Sequence, residues 1–120
     1  MSNHGTKFNA PKFSTIAYPG GWSLLKGDSR FVAGATAMVL DHMAQDLHYS
    51  VPSPSSVTIY KAGSQIVSGI KIYLEMHITK LEMYVQALIY HPSFMLHERS
   101  SEAKVEKIFI SSKPKFKTNS

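Results

Sequence analysis

One stretch in the second half of the chain constrains the fold more than any other. Ile70, Ile72, Leu74, Met76 and Ile78 alternate with Lys71, Tyr73, Glu75, His77 and Thr79. A period of two over this length is the signature of a strand with one buried face. The alternation then changes phase, because Leu81, Met83, Val85, Ala87 and Ile89 carry it on at odd numbers. A straight strand would turn its apolar side into water near Thr79 and Lys80. A chain reversal removes the conflict, since the residues flanking a two-residue hairpin loop pair directly and share a face. The pattern therefore predicts two antiparallel strands joined by a tight turn at Thr79-Lys80, with Ile78 and Leu81 on the same side.

A sheet with one apolar face needs a second layer, and the first half of the chain supplies it. Phe31, Val32, Ala35, Met38, Val39 and Met43 fall on one stripe at the helical period, with Arg30, Gly34, Asp41 and Gln45 opposite. Asp28 or Ser29 can cap the first turn, and Pro52 bars continuation. After the Ser/Pro connector at 51–56 a further strand is predicted, with Val57, Ile59 and Lys61 on one face and Thr58, Tyr60 and Ala62 on the other. Val105 to Ile110 forms a last, weaker strand. Helix followed by antiparallel strands gives an α+β domain whose two layers bury one another.

Composition narrows the function classes. The chain has 120 residues and no cysteine, so disulfides, thiolate metal sites and cysteine nucleophiles are excluded. A cysteine-free chain fits a reducing, cytoplasmic compartment, and secretion stays open where a leader has been removed. No apolar run is long enough for a membrane span. The six histidines show no metal-ligand spacing; His42, near the helical stripe, reads as a partly buried side chain with a partner, and no metal or other cofactor is expected. Neither a nucleophile elbow nor a phosphate-cradling glycine loop is present, so the chain does not read as an enzyme. The net charge is +5, with Lys104, Lys107, Lys113, Lys115 and Lys117 crowding the C-terminal end. A domain that used this end on nucleic acid or anionic lipid is the second reading, although nucleic acid is not the expected partner. Residues 1–17 show no period and read as a flexible arm, and 113–120 as a solvated basic tail.

Three short motifs remain. Gln65-Ile66-Val67-Ser68-Gly69 lies between the strand that starts at Val57 and the one that starts at Ile70, where glycine suits a hairpin. Tyr18-Pro19-Gly20-Gly21-Trp22-Ser23 precedes the helix. Tyr90-His91-Pro92 ends a strand in a proline-bearing loop. The pentapeptide resembles the Gln-X-Val-X-Gly loop of the cystatin superfamily, the glycine pair resembles the N-terminal trunk of its disulfide-free stefin branch, and the third segment resembles the family's second hairpin loop. The motifs stand in the family's order, the resemblance covers roughly Tyr18 to Ile110, and it implies an inhibitor domain over 18–112. Where secreted cystatins carry tryptophan after the second-loop proline, Ser93 and Phe94 stand here, and Pro19 replaces the larger aliphatic residue often found before the trunk glycine.

The resemblance implies a cystatin-like fold, a four- to five-stranded antiparallel sheet wrapped around one long α-helix. It also implies a reversible inhibitor of papain-like cysteine peptidases of the cathepsin L, S, B or H type. In that family the trunk and two hairpin loops form a wedge that enters the peptidase cleft. Carried over, Tyr18, Pro19, Gly20 and Gly21 form the trunk, Gln65, Ile66, Val67, Ser68 and Gly69 the first loop, and His91, Pro92, Ser93 and Phe94 the second. The active form would be a monomer, and a dimer exchanged through an opened first loop would be inactive. Trp22, the single tryptophan, is expected to cover one end of the helix.

Overall fold

The computed structural model describes residues 3–14 and 20–112. Its α-helix, α1, runs over Arg30–Gln45. The Ser29 side chain accepts a hydrogen bond from the backbone N–H of Phe31 at 3.1 Å, which satisfies one of the donors that a helix start leaves open. The predicted stripe faces inward: Val32, Ala35, Val39 and Met43 are buried, with Phe31 and Met38 at its margins.

Among the described residues six strands form one mixed sheet in chain order: β1 (Phe13–Ser14), β2 (Trp22–Leu24), β3 (Val57–Val67), β4 (Gly69–Ile78), β5 (Met83–His91) and β6 (Lys104–Ser111). Every neighbouring pair is antiparallel except β1 and β2, which are parallel. The α+β class with one helix packed on a sheet is thus as predicted, while the described sheet has six strands against the four or five expected and is not wholly antiparallel. Ile70, Ile72, Leu74, Met76 and Ile78 of β4 face α1 together with Met83, Val85, Ala87 and Ile89 of β5, and all are buried. Burying each of these side chains other than Ala87 is worth about 1.5–3 kcal/mol before entropy is counted.

Two registers differ from the expectation, and both have a physical reason. The reversal after β4 takes four residues, a short 3-10 turn at Thr79–Leu81 followed by Glu82 in the left-handed region (φ 50°), so Ile78 pairs with Met83 and not with Leu81. The pairing slides by an even number of residues, and an even slide leaves every side chain on its predicted face. In β3 the alternation breaks at Tyr60, where a bulge separates the Ile59–Met76 pair from the Lys61–Glu75 pair. The extra residue reverses the phase: Lys61 turns outward and Ala62 enters the core.

The face of the sheet turned away from α1 is covered as well. Residues 1–17 were expected to form a loose arm, yet 3–14 cross this face from one edge to the other. His4 pairs with Ile110 in both directions through backbone hydrogen bonds of 2.9 Å along the edge of β6. At the far edge, Phe13 and Ser14 pair with Trp22 and Ser23. Between them the backbone of Phe8 meets the Gln86 side chain, which accepts from the Phe8 N–H at 3.1 Å and donates to the Phe8 carbonyl at 2.5 Å. Gln86 also donates to the Tyr73 hydroxyl at 2.7 Å, and that hydroxyl donates to the Glu75 carboxylate at 2.6 Å. Under this strap Tyr73, Tyr84 and Gln86 are at most 2% exposed, although they point away from the helix. Burial first, and the hydrogen bond to Glu75 second, push the Tyr73 hydroxyl far above its ordinary pKa.

Trp22 also departs from expectation. It lies on the strapped side, where its ring meets Phe13 edge to face at 6.2 Å, and its strand pairs it with Gln65. Among the described residues no helix is long and apolar enough to cross a membrane. The expected tail at 113–120 and the segment 15–19, which includes Tyr18 and Pro19, lie outside the described residues.

Candidate functional site

The three motifs converge on one end of the sheet. Antiparallel pairing sends β3 up to Val67 and β4 down from Gly69, so the first hairpin forms the tip, and β5 returns to the same end, where His91 pairs with Ile70. The pentapeptide is less of a loop than its composition suggests. Pairing persists to Val67 and Gly69, leaving Ser68 alone between the strands. Gly69 makes this possible with φ at 107°, a conformation closed to ordinary side chains.

Gly69 is also where the two hairpins touch. A methyl group there would stand 2.8 Å from the Cα of Pro92 and closer still to the His91 carbonyl oxygen. Only a residue without a side chain lets the second loop close against the first. Tyr90 reinforces the junction, its hydroxyl donating to the Ser68 carbonyl at 2.7 Å.

The glycine pair joins from the other side. Because Trp22 pairs with Gln65, the chain just before β2 runs beside the first hairpin, and the Gln65 amide donates to the Gly20 carbonyl at 2.8 Å. Gly20 is exposed, its φ is 78°, and nothing lies within 4 Å of the position a methyl group would take. Its left-handed conformation thus serves the path of the chain and not a tight internal contact.

The second loop is held from within. His91 is 1% exposed. Its Nδ1 accepts from the Ser93 N–H at 3.0 Å and its Nε2 lies 2.9 Å from the Glu98 carbonyl. An acceptor role for Nδ1 assigns the proton to Nε2, so the ring is neutral and donates to Glu98. His91, carried over as a contact residue, is instead an internal brace, and Ser93 Oγ continues the brace by accepting from the Met95 N–H at 3.0 Å. Phe94 is half exposed and meets Phe31 at the first turn of α1, ring centroids 6.5 Å apart.

The assembled end thus presents Gly20, Ile66, Val67, Pro92 and part of Phe94. Ile66 and Val67 are 51% and 37% exposed, an apolar tip on a stiff hairpin. Stiffness and apolar exposure together suit insertion into a cleft, since little entropy and little polar hydration would be lost on contact. His42, elsewhere on α1, lies 2.7 Å from the Asp46 carboxylate through Nδ1. Among the described residues no three His, Cys, Asp or Glu side chains gather as a metal site would require.

Sequence reasoning missed the support behind this end. Gly63 is the signal that could have revealed it: a glycine in the middle of a strand marks close approach of another group, and here the Phe13 ring occupies the space that a side chain at 63 would fill. No family model, no curated protein and no solved structure matches the chain.

Proposed function

We propose that this protein is a cystatin-like inhibitor that blocks papain-like cysteine peptidases by shape. The reading rests on one arrangement, the meeting of Gly20, the hairpin Gln65 to Gly69 and Pro92 at one end of the sheet. A peptidase of this class has a cleft open on both sides of its nucleophile. A rigid apolar tip fills the centre of such a cleft, and the glycine trunk passes on one side while the second loop rests on the other. Substrate is excluded sterically, and the backbone at Gly20 brings no side chain against the nucleophile. The contact is mostly apolar, so its affinity depends weakly on salt.

Titration of a cathepsin L-type peptidase tests the reading. Wild type inhibits strongly, whereas Gly20→Glu and Val67→Asp lose inhibition, the first by filling the space the trunk must leave open and the second by forcing a carboxylate into an apolar contact. Gly20→Glu also bears a left-handed φ, a strain of about 1–2 kcal/mol, so folding of each variant is verified by circular dichroism. Equal potency of all three proteins overturns the assignment.

A further inference from the structure

The strap across the outer face ends next to the candidate site, and its last residues make contacts that its length alone does not explain. Phe13 sits in a notch above Gly63. Its ring meets Trp22 at 6.2 Å and Tyr73 at 6.1 Å between centroids, and the Lys61 ammonium lies 5.7 Å above it. Its backbone pairs with Trp22. Trp22 in turn pairs with Gln65, and Gln65 holds the Gly20 carbonyl. Four groups therefore stand in series from strap to trunk: Phe13, Trp22, Gln65 and Gly20.

β2 cannot hold this position unaided. It has three residues, and without β1 beside it it would be a short edge strand of the kind that frays readily. Leu24 is 57% exposed, so burial beneath β2 adds little at its far end. Phe13 supplies the missing fixation, being packed into the sheet on one side and paired along β2 on the other. The notch is specific to an aromatic ring lying over a glycine, because any side chain at 63 would occupy the ring's space.

We infer that Phe13 is a positioning residue for the trunk: seated over Gly63, it holds Trp22 and through Gln65 the Gly20 carbonyl, so that the trunk meets a partner already placed. The inference rests on the inhibitor reading for its consequence but not for its structural content. Preorganised groups lose less freedom on binding and leave more slowly. Releasing Phe13 therefore acts on the lifetime of the complex more than on the rate of encounter.

Two substitutions in the full chain release the ring by different means. Gly63→Val expels it while giving β3 a residue that strands favour, and Phe13→Ala removes it while leaving β2 and β3 unsubstituted. Lys7→Ala, at an exposed strap position, is the control. Trp22 is the only tryptophan, so its fluorescence and the hydrogen exchange of the Trp22–Leu24 amides report on β2 whether or not a peptidase is present. In both variants the emission shifts to longer wavelength and these amides exchange about tenfold faster, with no change in Lys7→Ala. The dissociation rate of a cathepsin L-type complex rises about tenfold, and the association rate changes far less. Unaltered Trp22 emission and exchange in both variants would overturn the inference, as would a loosened β2 with an unaltered dissociation rate. A wild type that inhibits no papain-like peptidase overturns the inhibitor reading instead, and the Trp22 measurements then still decide whether Phe13 holds the strand.

Discussion

Replacing Gly69 by alanine tests the junction of the two hairpins without adding charge or bulk beyond one methyl group. Two costs add. The backbone at 69 has φ 107°, and forcing an alanine to keep it costs on the order of 1–3 kcal/mol. The methyl would also stand 2.8 Å from the Pro92 Cα, well inside normal contact, and relieving such overlap in a packed setting costs typically about 1–3 kcal/mol more. The neighbouring atoms are backbone, so no side chain can rotate away; the second loop itself must shift. A total of roughly 2–6 kcal/mol corresponds to a fall in Tm of about 8 °C or more for a domain of this size. Thermal melts and urea titrations of Gly69→Ala beside Ser68→Ala make the comparison, since the structure uses the Ser68 carbonyl and not its side chain. A large loss is expected for the first and less than about 0.5 kcal/mol for the second. Variants that melt together would mean that the hairpins do not meet as described.

Two further predictions concern the strap. Gln86→Leu keeps volume at a 1% exposed position but removes three hydrogen bonds, two to the Phe8 backbone and one to Tyr73; a loss of about 2–3 kcal/mol in urea unfolding, with faster exchange at the Phe8 amide, is expected, and an unchanged midpoint would count against the strap. Alkaline pH is the second test. Burial, then the charge of Glu75, pushes the Tyr84 pKa up to about 12, and Tyr73 shifts in the same direction. The unfolded chain releases these protons near pH 10 while the folded chain keeps them, so stability is complete below about pH 10 and declines as pH rises toward 12. Chemical unfolding across that window, with Tyr84→Phe giving a shallower decline, checks the sign; a flat profile would refute it.

Strong periods were legible and weak signals were not. The run Ile70 to Ile78 and the stripe from Phe31 to Met43 each fix which side of an element is apolar, and every fully buried residue of β4 and α1 on those stripes is where the pattern puts it. Parity also carried the chain reversal, although the loop length was misjudged, because a slide of two residues leaves no trace in the alternation. The bulge at Tyr60 was hidden for the opposite reason: one added residue alters the phase of only the few positions that follow, and Lys61 and Ala62 fit either face by composition. The convergence of Gly20, Val67 and Pro92 follows from motif order once the strands are antiparallel. His91 as a buried brace does not follow, since a histidine beside a loop proline carries no mark of burial. Least legible was the strap, as Phe8 and Phe13 are isolated aromatics without a period and their partners lie far away in sequence.

That distance has a consequence for how the molecule comes into being. Asn3 Oδ1 accepts from the Ser112 N–H at 3.3 Å, and His4 pairs with Ile110, so the start of the strap can settle only after β6 has been made. Until then the nascent chain carries a half-clothed sheet, and closing a loop between residues 109 positions apart makes the final docking slow relative to the hairpins. The strap is therefore the last layer to close.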